Sequence, residues 1–310
     1  MKYVNKNRIF ISILLITLFY IIFIFYSDFD KIKTNYQNFN ILYFLPVLPI
    51  LFFSMFCRSL VQRYLLKNIN IQISIKSSFL IFLGGYSMIM TPGGVGLIIK
   101  SYLIQKKYGH KISKSIPLVF AERFYDILAV EIIILSTLFL FFSITSVILS
   151  ILLGIGICTA ILFIKVKKFN SFFLSIITKL KIIDDDQNSK ELFLETIQKL
   201  FKIKFFIKIS IIIAGLTFFE GIIIFLSFQI FNIDIGYIES IQVYYTSMLL
   251  GALSLLPAGI GAIESLFVFL LSEKNISLDL ATSTILFIRF ITIWILAGIG
   301  IIISLKFFSK

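Results

Sequence analysis

The chain has 310 residues, 59% hydrophobic and only 15% charged, with a formal net charge of +13 and a mean hydropathy of +1.01. A soluble domain that apolar could not cover its surface with polar groups, whereas lipid accepts apolar surface, so composition points to an integral membrane protein. The basic residues lie in short connections between apolar runs, which argues against nucleic acid as a partner and for a role in setting membrane orientation. One histidine, His110, and two cysteines, Cys57 and Cys158, supply neither histidine catalysis, metal-ligand spacing nor a disulfide framework. No cofactor, metal or catalytic residue is expected.

In chain order, six apolar runs are long enough to cross a core of roughly 30 Å, which takes about 20 residues of helix. They cover about 9–26, 41–57, 116–142, 146–164, 205–231 and 280–304. The first ends at Ser27-Asp28 with no small-x-small cleavage pattern and reads as an uncleaved helix. Lys2, Lys6 and Arg8 precede it; Arg58, Arg63, Lys67 and Lys76 follow the second run, and Lys165, Lys167 and Lys168 the fourth; Lys306 and Lys310 close the chain. The opposite side carries Asp28, Asp30, Asp234, Glu239, Glu273 and Asp279 against Lys31, Lys33 and Lys274. This asymmetry predicts a multi-pass protein of the cell membrane with both termini cytoplasmic.

Two stretches do not fit as spans. Residues 78–91, about 21 Å of helix, run into Pro92-Gly93-Gly94-Val95-Gly96, and a second short run reaches 104. Basic flanks at both ends (Lys76; Lys106, Lys107, Lys111, Lys114) imply entry and exit on one side, hence a re-entrant hairpin broken at Pro92, Gly94 and Gly96. Residues 240–256 run likewise into Pro257-Ala258-Gly259-Ile260-Gly261, and the flanks there are acidic or neutral. Arg123 lies 31 residues after Pro92, and Arg289 lies 32 after Pro257. Ordinary kinks at Pro and Gly are the alternative. Matched spacing and opposed flanking charge favour an inverted repeat, which in secondary transporters brackets a midplane site. The predicted fold is therefore all-α and polytopic, with about six spanning helices plus two re-entrant helical hairpins. It forms a single transmembrane domain over 1–310, with a first half over 41–142, a polar cytoplasmic connection over 165–204 and an inverted second half over 205–304. In that connection Asp184-Asp185-Asp186 marks a turn, and Glu191, Glu195 and Lys199 share one face of a solvated helix.

Charges at membrane depth need a partner or a cavity, since each costs about 2.5–3.5 kcal/mol or more on insertion scales. Glu122, Arg123 and Asp126 fall within little more than one turn, with Glu131 further along the same helix. Lys100 follows the first break, Glu264 the second, Glu220 lies inside the fifth run and Arg289 inside the last. Arg123 is expected to pair with Asp126 or Glu122, and Arg289 with Glu264 or Glu220. A cluster of this size also implies a polar cavity. Guanidinium groups bind phosphate bidentately, so Arg123, Arg289 and Lys100 are candidate headgroup ligands. Glu122, Asp126, Glu264 and Glu220 are candidates for orienting them or carrying a coupling proton.

The strings Thr91-Pro92-Gly93-Gly94-Val95-Gly96, Ala121-Glu122-Arg123-Phe124-Tyr125-Asp126 and Leu256-Pro257-Ala258-Gly259-Ile260-Gly261-Ala262-Ile263-Glu264 resemble the lysylphosphatidylglycerol synthase transmembrane (flippase-like) family. The resemblance covers most of the chain. It implies a stand-alone membrane member, without the soluble aminoacyl-transfer domain, that moves an anionic phospholipid or lipid-linked headgroup between leaflets. Family members often carry Gly-Glu after the first break, whereas Leu97 follows Gly96 here, so any role of that carboxylate is missing or displaced. Two other readings stay open: a membrane enzyme acting on a polyprenyl-phosphate or glycolipid substrate, and a non-transporting partner subunit. The partner expected in the leading reading is a membrane lipid; the sequence does not fix the oligomeric state.

Overall fold

The structure, a computed structural model, describes residues 18–91, 97–138, 140, 144–165, 174, 178, 183, 185–254 and 256–308. These contain helices and turns and no strand. Residues 18–26 form α1, followed by α2 (Phe29–Gln37), α3 (Ile41–Phe44), α4 (Val47–Asn68), α5 (Ile75–Gly85), α6 (Ile99–Tyr108), α7 (Ile112–Thr137) and α8 (Ile144–Lys165). The second half holds α9 (Gln187–Leu200), α10 (Ile203–Ile230), α11 (Tyr237–Ser254), α12 (Ala262–Ser272), α13 (Leu278–Arg289) and α14 (Ile295–Phe308). A π-helical turn, Phe290–Trp294, joins α13 to α14.

Three of the described segments are long and apolar enough to cross a membrane by length and composition: Ile41–Asn68, Ile203–Ile230 and Leu278–Phe307. The protein is thus all-helical and polytopic. On α10, Ile203, Ile207 and Ile211 form an exposed stripe four residues apart, while Ile209, Ile213 and Thr217 are buried. Such an outward apolar stripe is what a helix shows to lipid.

The central pair is α4 against α10, and the two run antiparallel. Near the C-terminal end of α4, Tyr64 stacks on Phe205 at 5.5 Å, and Asn68 Nδ2 donates to Lys199 O at 3.2 Å. Near its other end, Asn40 N donates to Ile230 O at 3.0 Å. The helix α10 also packs on α7, α11 and α13. One core cluster joins α4, α7, α8 and α10 to α13 through residues such as Leu51, Ile134, Phe228, Phe267 and Ile288. Packing of this kind, rather than expulsion of water, holds helices together in lipid.

Both hairpins are present. The limbs α5 and α6 pack on each other, as do α11 and α12, and α5, α6 and α12 are each only 10 or 11 residues long. At the open end of the first, Lys107 Nζ donates to Ser77 Oγ at 2.7 Å. At the open end of the second, Lys274 pairs with Glu239. Because the first follows the C-terminal end of α4 and the second that of α10, antiparallel packing of those helices makes the hairpins open at opposite ends of the bundle. Pro92, Gly94 and Gly96 lie outside the described residues. The second break is built from Pro257–Gly259, a short 3-10 turn with Ala258 at φ 50° and Gly259 at φ 66°, then Gly261 at φ 90°. Only glycine adopts φ 90° without steric cost, and Gly261 N donates to Glu264 Oε2 at 2.7 Å, capping α12. Close approach explains Gly251, where a Cβ would stand 2.4 Å from Ile263 Cγ1. Likewise a Cβ on Gly300 would stand 2.6 Å from Leu83 O, where α14 crosses the end of α5.

Two expectations change here. Arg58, Arg63 and Lys67 are expected in the connection after the second apolar run, but α4 continues to Asn68 and places all three inside the helix. Leu51, Met55, Ser59, Gln62 and Leu65 on its buried side repeat every three or four residues, so the buried face runs past the arginine. The polar connection is also less solvated than read. Glu191, Glu195 and Lys199 do share a face of α9, but Phe193, Ile197 and Leu200 on the other face are buried, and α9 packs on α7. Asp184 lies outside the described residues. Asp186 caps α9 by accepting from Ser189 N at 3.0 Å, and the hydrogen bonds from Ser189 hold its carboxyl below the ordinary range.

Candidate functional site

A cavity of ≈ 470 Å³ lies between the halves, walled mainly by apolar side chains of α4, α7, α10, α11 and the last helix. Seven charged side chains reach it: Arg58, Lys100, Glu122, Arg123, Asp126, Glu220 and Arg289. Six of the seven were picked out from the sequence. The seventh, Arg58, is the most heavily bonded.

Arg58 Nε donates to Glu220 Oε1 at 2.5 Å and Nη2 to Glu220 Oε2 at 2.7 Å, a bidentate pair between α4 and α10. Its Nη1 donates to Asp126 Oδ1 on α7 at 2.7 Å, and Nη2 also to Thr217 Oγ1 at 3.0 Å. One guanidinium therefore ties three helices with the planar fork that suits carboxylates. Arg58 and Glu220 each stand ten residues before the last residue of their helix, Asn68 and Ile230, so both lie well inside the bundle's central pair. The signal that could have revealed Arg58 was the second apolar run itself. At 17 residues it stands at the lower limit of what a span takes, and Gln62 repeats the polar position one turn on.

The other pairs follow a common plan with the signs exchanged. Lys100, on the returning limb of the first hairpin, donates to Glu122 Oε2 at 2.7 Å on the helix that follows, and its Nζ lies 4.4 Å from the centre of the Phe82 ring. Glu264, on the returning limb of the second, accepts from Arg289 Nε at 2.8 Å on the helix that follows. Lys100, Glu264 and Arg289 are 4%, 0% and 3% exposed. Arg289 Nη2 also donates to Ala258 O at 2.6 Å, and Tyr20 OH to Glu264 Oε1 at 3.0 Å. Arg289 thus clamps the turn at Pro257–Gly259. Glu264 stands behind Arg289 rather than on the cavity wall, while Gly259 does line it.

Arg123 differs from the other cations. Its side chain is 45% exposed, and its nearest carboxylate oxygen, Asp126 Oδ2, is 3.6 Å away, too far for a good hydrogen bond. Asp126 thus spends one oxygen on Arg58 and leaves the other loosely facing Arg123. Of the pairings expected from sequence, Arg123 with Asp126 and Arg289 with Glu264 occur. Glu220 instead takes Arg58, and Glu122 takes Lys100. Among the described residues no group of three or more His, Cys, Asp or Glu side chains is placed to hold a metal.

A family model described as lysylphosphatidylglycerol synthase TM region matches residues 9–300. A UPF0104 membrane protein of Methanocaldococcus jannaschii is 27% identical over 223 residues, covering 69% of this chain and 90% of the relative. A UPF0104 membrane protein of Methanothermobacter thermautotrophicus is 27% identical over 82 residues, 26% of this chain and 24% of the relative.

Proposed function

The chain belongs to the lysylphosphatidylglycerol synthase TM-region family, and from that premise we propose that it is a flippase-like protein passing a phosphate-bearing lipid headgroup through the cavity between its two hairpins. The observation that carries this reading is Arg123. Arg58, Lys100 and Arg289 are held by carboxylates at hydrogen-bond distance, whereas Arg123 faces the cavity half-exposed and loosely paired. A guanidinium in that state has donors free for a phosphate oxygen. The apolar walls suit the glycerol and upper acyl region. Hairpins that open at opposite ends give the two leaflets equivalent approaches to the midplane, as in alternating access. In this reading both termini are cytoplasmic and the first hairpin opens to the cytoplasm.

Leaflet exchange of a fluorescent anionic phospholipid in vesicles containing the purified protein tests it. The parent should exceed protein-free vesicles. Arg123→Ala should slow exchange about 10- to 100-fold, the loss of one or two hydrogen bonds to a charged group, while melting as the parent does. Unchanged exchange by Arg123→Ala would leave the alternative of a partner subunit whose charges serve only to neutralise one another.

A further inference from the structure

Five carboxylates lie on or near the cavity helices at membrane depth, and four have cations. Glu122 has Lys100, Asp126 and Glu220 share Arg58, and Glu264 has Arg289. The fifth, Glu131, has no ion pair among the described residues, though it is only 5% exposed. It sits on α7 five residues beyond Asp126, about 7.5 Å along the axis, and turns from the cavity toward α8. A Cβ on Gly154 would be 4.0 Å from its Oε1, so glycine there makes room for the carboxyl. One turn earlier on α8 is Ser150. Glu131 Oε2 and Ser150 Oγ are both buried, and neither has a hydrogen-bond partner of good geometry among the described residues. Around them pack Val130, Ile134, Leu149 and Leu153.

Several charged groups on the elements packed against α7 are paired elsewhere. Arg58 of α4 and Lys100 of α6 hold the carboxylates named above. Lys190 and Lys199 of α9 pair with Asp185 and Glu195, and Glu239 at the start of α11 pairs with Lys274. The tyrosine Tyr245 of α11 donates to Thr217 O, and Tyr244 lines the cavity. The buried polar side chains of α8 and α11 include hydroxyls, among them Ser150 and the hydrogen-bonded pair of Ser146 and Thr246. An ionised carboxylate with no cation in such surroundings costs several kcal/mol. A protonated one has an O–H to donate and an oxygen left to accept, which is what a neighbouring hydroxyl can satisfy.

We propose that Glu131 is a proton-binding site, occupied in this conformation, and that proton release and uptake there accompany headgroup movement. The α7 helix carries Glu122, Arg123 and Asp126 on the cavity side and Glu131 on the α8 side. A shift of α7 that admits a headgroup therefore also alters how Glu131 meets α8, and opening that seam to water lets the proton leave. The coupling rests on the transport reading; the protonation does not.

The experiment has two arms on protein in lipid nanodiscs or vesicles. In the first, infrared difference spectra across a pH titration are compared for the parent and Glu131→Gln, a neutral side chain of the same shape. A protonated-carboxyl band at neutral pH, lost in Glu131→Gln, is the expected result; its absence from the parent overturns the proposal. In the second, leaflet exchange of a fluorescent anionic phospholipid is measured with and without an imposed pH gradient. The parent should respond to the gradient and Glu131→Gln should lose the response entirely; a response retained by the variant overturns the coupling and leaves a structural acid. If neither protein moves lipid while the band behaves as expected, the transport reading fails and the proton site stands.

Discussion

Replacing Arg58 by methionine is the sharpest test of what joins the two halves. The substitution keeps the apolar stem and removes a guanidinium that makes four hydrogen bonds of 2.5–3.0 Å to α7 and α10. Breaking a buried pair by removing one partner leaves the other charge uncompensated, at a cost of about 3–5 kcal/mol. The two carboxylates left behind are not equivalent. Asp126 retains Arg123 at 3.6 Å, whereas Glu220 has no second cation among the described residues. Unfolding in mixed micelles, followed by loss of helical signal, should therefore find Arg58→Met destabilised by about 3–5 kcal/mol. Adding Glu220→Gln should recover more than half of that, and adding Asp126→Asn distinctly less. If Arg58→Met unfolds within about 1 kcal/mol of the parent, or if Asp126→Asn rescues better than Glu220→Gln, the account of this junction is wrong.

Glycine substitutions separate close approach from mere helix content. Gly251→Ala and Gly300→Ala should each lose about 1–3 kcal/mol by overpacking, because a Cβ there meets Ile263 at 2.4 Å or the Leu83 backbone oxygen at 2.6 Å. Gly156→Ala and Gly298→Ala meet nothing within 4 Å and should match or exceed parent stability by up to about 1 kcal/mol. Single cysteines at Lys76 and Lys106 should react with an impermeant reagent from one side of the membrane, and cysteines at Asp234 and Glu273 from the other; a hairpin whose two ends label from different sides is not re-entrant. The Asp186 carboxyl is held low by Ser189, so its contribution to α9 is present above the ordinary aspartate range and lost as pH falls through its own lower value. Hydrogen exchange of the first α9 amides should accelerate on that descent in the parent and stay flat in Asp186→Asn, since an asparagine cap does not titrate.

The bundle was legible where long apolar runs met punctuation. The fifth and sixth runs lie within one to four residues of the ends of α10 and of α13 with α14, and the Pro257 break predicted the turn that Arg289 clamps. Arg58 was lost because a charge beside an apolar run reads as a loop. A helix that buries its cation against two other helices carries no local mark of doing so. Glu220 was visible as a charge in a span, but not its partner, since which of several cations a carboxylate meets depends on how α4 and α10 cross. For α9 the charged face was plain, while the apolar positions Phe193, Ile197 and Leu200 went unweighed against α7.

The cavity charges also bear on how a ligand arrives. Arg58, Lys100, Arg123 and Arg289 face Glu122, Asp126 and Glu220, with Glu264 directly behind, so the formal charges cancel. Balanced charges a few ångströms apart project little potential beyond a Debye length of about 8 Å at physiological salt. The cavity charges themselves exert no long-range pull on an ion at the surface, so any salt-dependent steering would come from the basic connections. Selection would fall instead on what happens at contact: a headgroup is retained only if it offers Arg123 a better partner than Asp126 does, and it leaves when the aspartate takes that place back.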